Sequence, residues 1–294
     1  MARSSSKESD LNGEWWLAWR RRQLALGGNP ADFDWLVELA GGLCWRKQQQ
    51  LRLHPEQLVD LSADPCHLER LWRRHLDTAE PLQYLVGRCP WRDLELIVGP
   101  GVLIPRQETE LLVELALELA PECPGPWADL GTGSGCIALA LALAWPRSRG
   151  WSVDSSPAAL HQAGINLERA GVADRVRLQE GSWWQPLRPL WGQLELVVSN
   201  PPYIPTAVWA ALEPGVREHE PVLALDGGAD GLDALRPLAQ GASAALAPGG
   251  LLLLEHHHDQ SAAVTNLLTL AGLKEVRTHT DLEGRQRFVS ARRC

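Results

Sequence analysis

Apart from tryptophan, the sequence is poor in aromatic residues, with two Phe and two Tyr in 294 residues. Trp is abundant at 14, and reads as a replacement for the other aromatics in the core, with no sign of a stacking surface. No apolar run approaches the ~20 residues that a membrane-spanning helix needs. The polar start, Ser4-Ser5-Ser6-Lys7-Glu8-Ser9-Asp10, lacks the apolar segment of a signal peptide, and residues 1–10 are expected to be a disordered tail. The six cysteines show no paired spacing, which argues against a disulfide framework and fits a reducing cytoplasm. Positive charge is also short. A net charge of −8 argues against a protein that wraps free DNA. No internal repeat is evident, and the length allows one large domain or two smaller ones.

What is present begins with a turn. An apolar run, Leu194 to Val198, reads as a buried strand and leads into Asn200-Pro201-Pro202-Tyr203. Pro201 biases Asn200 towards extended backbone, and both prolines have a fixed φ and no N–H. Such a turn is rigid and presents the Asn side chain, bare carbonyls and an aromatic ring. These parts suit a flat –NH2 group, with acceptors for its hydrogens and a face to stack on. A proline-rich turn with no chemistry fits the same four residues equally well.

A second motif lies upstream. Trp127 to Leu130 reads as a short strand, followed by Gly131-Thr132-Gly133-Ser134-Gly135 and a small-residue helix from Cys136 to Ala144, stopped by Pro146. Strand, glycine loop and helix form the first unit of a nucleotide-binding α/β sheet. Glycines permit positive φ and close approach of backbone to ligand, and the helix start offers free N–H groups. About 20 residues on, Trp151-Ser152-Val153 ends at Asp154, where an acid can accept both ribose hydroxyls of an adenosine. The third glycine comes too early for the dinucleotide pattern, and no Lys-Ser or Lys-Thr follows as in a phosphate loop. A nucleoside site is the reading that remains. Ser156-Pro157 reads as a cap and first helical residue, with Gly171 as the C-cap of that helix.

Residues 11–78 read as a helical bundle, with apolar positions at helical spacing in 15–19, 33–40 and 68–76, and with Asp32 and Ser62 as caps. The stretch is rich in arginine and holds no catalytic constellation, so docking or simple shielding is its expected role. Residues 79–104 read as a hairpin linker, with Pro81 to Gly87 and Leu94 to Val98 as its extended parts. A helix is expected from Glu108 to Leu119. Arg106, Glu108 and Thr109 either close over a site or form a linker ion pair and a cap. Further strands are expected at 176–178, 194–198 and 250–255, and an antiparallel pair at 276–279 and 287–291. This alternation predicts an α/β fold with a mostly parallel sheet covered by helices. Ligands should then bind beyond the carboxyl ends of the strands that precede Gly131, end at Asp154 and precede Asn200. Glu255 and His256 end a strand near that edge and read as structural.

From Glu80 onward the chain resembles the release-factor glutamine methyltransferase family, within the class I S-adenosylmethionine-dependent methyltransferases. The resemblance rests on Pro81 to Gly87, on Leu103-Ile104-Pro105-Arg106-Gln107-Glu108-Thr109-Glu110 and on Asp129 to Gly135. It continues through Val153-Asp154, Ser199 to Ile204 and Leu251 to His256. It implies a Rossmann-like, mostly parallel seven-stranded sheet over 105–294 behind a small helical domain and the hairpin linker. It also implies methylation of the side-chain amide of the glutamine in the Gly-Gly-Gln motif of peptide chain release factors. S-adenosylmethionine would lie against Gly131, Thr132, Gly133, Ser134 and Gly135, with Asp154 on its ribose and Ser182, Trp183 and Asn200 beside it. Asn200, Pro201, Pro202 and Tyr203 would hold the glutamine, with Asn200, Pro201 and Tyr203 catalytic.

The implied protein is a cytoplasmic monomer whose helical domain docks release factors, with neither DNA nor membrane as a partner. Gln107 stands where the family often has proline, Ser182 where an acid often precedes the Trp, and His256-His257-His258 in place of His-Gly. Three adjacent histidines suggest a metal cluster, but neighbours on a strand point to opposite faces and no other His or Cys group has ligand spacing. No metal is expected. A ribosomal-protein glutamine methyltransferase, an adenine-N6 nucleic-acid methyltransferase acting on a flipped base and a non-catalytic cofactor-binding assembly factor share parts of the pattern. The acidic charge and the lack of a long insert disfavour the nucleic-acid enzyme.

Overall fold

The computed structural model describes residues 11–122 and 125–294, so the tail expected over 1–10 lies outside the described residues. The chain divides into two compact units, Met1–Gly87 and Arg88–Cys294.

The first unit is helical: α1 (Gly13–Leu24), α2 (Pro30–Gly41), α3 (Trp45–Leu53), α4 (Pro65–Thr78) and α5 (Leu82–Val86). The caps differ from the expected Asp32 and Ser62. The Asn12 side chain accepts from Trp15 N, that of Asn29 from Ala31 N, and that of Asp64 from Cys66 N. Proline decides the last two. Pro30 and Pro65 are suited to the first helical position, where no N–H is needed, so the residue before each becomes the cap. Trp16, Trp19, Phe33 and Trp72 fill the centre, with Phe33 5.3 Å from Trp19 and 5.2 Å from Trp72 between ring centroids. The Trp-rich composition thus goes largely into core packing, although Trp45 is exposed.

The segment from Pro81 to Gly87 is also helical, against the extended reading. Residues 82–86 complete a turn that Gly87 ends at φ +73°. Gly87 supplies the left-handed C-terminal position of a helix. The hairpin starts one residue later, in the second unit, with β1 (Arg88–Trp91) antiparallel to β2 (Leu94–Ile97).

The second unit continues with α6 (Glu108–Leu119), β3 (Trp127–Leu130), α7 (Cys136–Ala144), β4 (Gly150–Asp154), α8 (Pro157–Arg169), β5 (Val176–Glu180) and β6 (Leu194–Ser199). There follow α9 (Thr206–Trp209), α10 (Pro214–Arg217), α11 (Leu235–Ala245), β7 (Leu246–Glu255), α12 (Ser261–Leu270), β8 (Lys274–Thr280) and β9 (Gln286–Arg292). The seven-stranded sheet has the order β5-β4-β3-β6-β7-β9-β8. Its first five strands are parallel, and β9 pairs antiparallel with both β7 and β8. Central parallel strands are covered on both faces and so read as near-continuous apolar runs. All four residues of β3 are buried, as are five of the six in β6. The chain leaves β3 towards β4 on one side and later returns at β6 on the other. Ligands bind at such a reversal of strand order, beyond the carboxyl ends of the strands.

Candidate active site

The glycine loop turns sharply off the end of β3. Gly131, Gly133 and Gly135 have φ of +76°, +54° and +81°. The N–H groups of Gly131 and Thr132 both donate to the Val153 carbonyl, at 2.8 and 3.1 Å, which pins the loop to β4. The carboxylate of Asp154, which ends β4, accepts from Gly133 N and from Ser156 N, each at 2.9 Å. Burial raises its pKa, and the Gly133 N–H opposes that rise. Each oxygen keeps a further lone pair for a ligand hydroxyl. The glycines do different work. A Cβ on Gly133 would meet nothing within 4 Å, whereas one on Gly135 would lie 2.9 Å from Cβ and 3.0 Å from Cα of Ala163. Gly133 therefore borders open space, and Gly135 lets α7 pack closely on α8.

Asn200 follows β6, the strand beside β3. The Ser199 hydroxyl donates to the Leu130 carbonyl at 2.5 Å, which holds the two strand ends together. Asn200 Nδ2 donates to Thr109 Oγ1 at 2.8 Å, and Thr109 Oγ1 donates to Glu255 Oε2 at 2.8 Å. The other Glu255 oxygen accepts from the Tyr203 hydroxyl at 2.9 Å. Glu255 is fully buried. Burial pushes its carboxyl up to about 7, while the Thr109 and Tyr203 hydrogen bonds and the Arg287 charge oppose the rise. Burial and the Glu255 charge hold the Tyr203 hydroxyl well above its ordinary value.

A cavity of about 240 Å³ joins the two motifs. Its lining includes Gly131 to Ser134, Asp154, Ser182, Trp183, Asn200 and Pro202. Residues 101–103, Pro105, Arg106 and the loop at Pro221, Leu223 and Ala224 complete its wall. Arg106 pairs with Glu220 at 2.6 Å, and Glu220 also accepts from Ile104 N at 3.1 Å, so the two walls are joined. Trp183 holds φ +47°. A left-handed conformation costs a non-glycine residue about 1–2 kcal/mol. Backbone strain of this kind collects at functional sites, and here it sets the indole opposite Gly131, 3.4 Å from where a Cβ would sit. Pro201 and Tyr203 line an adjoining depression that shares Asn200 and Arg106 with the cavity.

The fold thus brings the glycine loop, Asp154, Ser182, Trp183 and Asn200 to one cavity, with Pro201 and Tyr203 next to it. Gly135 stands outside the lining. Thr109, placed in the sequence reading as a cap or a closing residue, is the hydrogen-bond partner of Asn200. Glu255, read as structural, joins Thr109 to Tyr203. Asp129, named above only as the start of the motif that runs to Gly135, has a place of its own in the structure. It is fully buried at the foot of the glycine loop and accepts from Thr132 Oγ1 at 2.7 Å, while its Oδ1 has no partner among the described residues. Burial pushes its carboxyl up to about 7. An acid two residues ahead of Gly131 was the signal available for it. Nothing in the sequence pointed to Glu220. Of the three histidines, His256 is buried with Nδ1 2.8 Å from the His257 carbonyl, and His257 Nδ1 lies 2.6 Å from Asp259. Among the described residues no group of three or more His, Cys, Asp or Glu is placed to hold a metal.

A glycine loop after a central strand, an acid ending the next strand and an Asn-Pro-Pro-Tyr turn on the strand at the other side define a class I methyltransferase fold and site. Residues 107–211 match the family model for the Methyltransferase small domain. The release factor glutamine methyltransferase of Prochlorococcus marinus is 46% identical over 291 residues, covering 98% of this chain and 99% of that protein. The protein of the same name from Moorella thermoacetica is 49% identical over 275 residues, covering 92% and 95%. The chain belongs to the release factor glutamine methyltransferase family. Among solved structures, the hMettl16 catalytic domain in complex with MAT2A 3'UTR hairpin 6 superposes with a TM-score of 0.54 at 13% identity, covering 78% of this chain and 80% of that one. At that identity the likeness is one of fold.

Proposed function

We propose that this chain methylates the side-chain amide nitrogen of the glutamine in the Gly-Gly-Gln motif of peptide chain release factors, with S-adenosylmethionine as donor. The observation that carries the reading is the joining of the Asn200 turn to the Asp154 and glycine-loop cavity on one edge of the sheet. The residues present fit the donor. Gly133 leaves space where a side chain would intrude, Gly131 keeps open the slot beside the Trp183 indole, and Asp154 has spare lone pairs for ribose hydroxyls. Gly131 to Ser134, Asp154, Ser182 and Trp183 would hold it, and when bound it supplies a methyl group activated by a sulfonium.

The chain's own residues deal with the amide. An amide nitrogen is a poor nucleophile because its lone pair is shared with the carbonyl, the same sharing that gives the C–N bond a rotation barrier of ~18–20 kcal/mol. As the nitrogen gains positive charge, its N–H groups become stronger donors. Asn200 Oδ1 and the Pro201 carbonyl accept them and so stabilise the transition state more than the ground state. Pro202 keeps the turn rigid, and the Tyr203 ring supplies a flat face that keeps the nitrogen in line. The site needs no Ser, Cys or His nucleophile.

The helical bundle over 11–78 docks the release factor, with Trp45, Leu53 and Leu58 as exposed apolar contacts beside Arg46 and Arg52. Residues 79–104 link it to the catalytic domain over 105–294. The protein acts in the cytoplasm as a monomer. No helix among the described residues is long and apolar enough to cross a membrane.

The test is incubation of the protein with labelled S-adenosylmethionine and, separately, a release factor, ribosomal proteins and DNA, followed by mass spectrometry. The expected result is one methyl group on the Gly-Gly-Gln glutamine. Label confined to ribosomal protein or DNA would refute the assignment.

A further inference from the structure

Thr109, Glu255 and Tyr203 come from α6, the end of β7 and the turn after β6, and they meet in a buried chain of hydrogen bonds that ends on Asn200. We propose that Thr109 and Glu255 are positioning residues, in which the Glu255 carboxylate, acting through the Thr109 hydroxyl, sets which prong of the Asn200 amide meets the substrate. The inference rests on the methylation reading above and adds to it the device that orients its central residue.

The argument follows the protons. An ionised carboxylate only accepts hydrogen bonds, and a threonine hydroxyl has one proton to donate. Thr109 Oγ1 gives that proton to Glu255 Oε2 at 2.8 Å, so it can only accept on its Asn200 side. The Asn200 prong that lies 2.8 Å away must therefore be Nδ2, which leaves Oδ1 as the other prong, free to accept from an incoming amide N–H. A flipped Asn200 would set its own NH2 against the NH2 of the substrate, donor against donor. The second carboxylate oxygen takes the Tyr203 hydroxyl proton at 2.9 Å, so the same group orients the ring on the far side of the turn. Thr109 and Glu255 are both buried, and solvent cannot replace a lost partner.

Protonation of Glu255 gives it a proton of its own to donate. One of its two partners must then reverse, and if Thr109 reverses, Asn200 flips. The groups that face Glu255 are Thr109 and Glu108 from α6, Tyr203 from the turn and Arg287 from β9, whose guanidinium is shared with Asp281. Burial outweighs the favourable members of this set and brings the carboxyl to about 7. Turnover requires the charged form, so it is full above that pH and lost as the pH falls through it.

The test uses the full chain with S-adenosylmethionine and a release factor, and measures kcat, the KM for release factor, the cofactor Kd and the pH profile. Thr109→Val should lower kcat about 10- to 100-fold, the cost of a hydrogen bond to a charged network, and leave both binding constants within about threefold. Thr109→Ser, which keeps the hydroxyl, should restore kcat. Glu255→Gln has nearly the same shape but offers one acceptor and one donor, so it should lower kcat and flatten the acid limb expected near pH 7 in the native enzyme. Native kcat in Thr109→Val would overturn the inference and leave the reaction standing, as would an unchanged acid limb in Glu255→Gln. Absence of turnover by the native protein on release factor would overturn the reaction and the inference with it.

Discussion

Gly133 and Gly135 sit two residues apart in one loop, yet their substitution by alanine should fail in different ways. In Gly135→Ala the residue keeps φ +81°, and its new Cβ lies 2.9 Å from Cβ and 3.0 Å from Cα of Ala163. The left-handed conformation costs about 1–2 kcal/mol. Ala163 Cα is backbone and cannot rotate aside, so α8 must move off α7, at an overpacking cost of about 1–3 kcal/mol. The sum is a loss of roughly 2–5 kcal/mol in folding stability. In Gly133→Ala, φ is +54° and nothing lies within 4 Å of the added methyl. Its stability loss is the conformational part alone, about 1–2 kcal/mol. That methyl enters the cavity, so the cofactor Kd should rise about tenfold or more, equivalent to 1.4 kcal/mol. Urea unfolding gives the first quantity and calorimetric titration with S-adenosylmethionine the second. Equal stability losses, or native cofactor affinity in Gly133→Ala, would refute the assignment of one glycine to ligand and the other to helix packing.

Other outcomes follow from the same geometry. Asn200→Ala removes the acceptor for the substrate amide and should lower kcat by about 100-fold or more with little change in cofactor affinity; methylation at the native rate would sink the catalytic assignment. Asp129 titrates at about 7 in the folded protein against 3.8 ordinarily, so between those values the folded state holds a proton that the unfolded state has lost. Its contribution therefore makes stability fall as pH rises through that window and then level off. Asp129→Asn should flatten the slope, and urea midpoints compared across the window check this. Arg106→Met strands the Glu220 carboxylate, whose side chain is 1% exposed, but the Arg106 side chain is itself 34% exposed. Solvent screening should hold the loss to about 1–3 kcal/mol, and a thermal melt with no shift would contradict the buried pairing.

Much of the architecture was legible because its signals are local. The runs at 127–130, 194–198 and 251–254 are largely apolar, with Asp129 and Glu195 as the exceptions, as parallel strands covered on both faces require. The glycines announced a sharp loop, and Pro201-Pro202 a rigid turn. Errors came where two local signals competed. Pro81 and Gly87 bracket α5 as its N-cap and C-terminal glycine, and the same pair also reads as the boundary of an extended segment. Asp32 and Ser62 were plausible caps in isolation, but Pro30 and Pro65 had already placed the helix starts one residue after Asn29 and Asp64.

By itself the sequence determined the chemistry on offer: a glycine loop before a helix, an acid ending the next strand, and an amide held beside an aromatic ring by two prolines. Residue types and short spacings carry that information, because backbone torsions and hydrogen-bonding inventories are properties of neighbours in the chain. Only the tertiary structure decided the orientation of those parts. Pairing of β3 with β6 brings Leu130 beside Ser199, and so Gly131 close to Asn200. The buried carboxylate of Glu255 reaches Asn200 through Thr109, a residue 146 positions away from it in the chain. No spacing rule announces such a contact. A hydrogen bond between distant segments exists only once the sheet has closed around it and water has been removed, and that exclusion also raises the carboxyl and leaves its two partners no alternative.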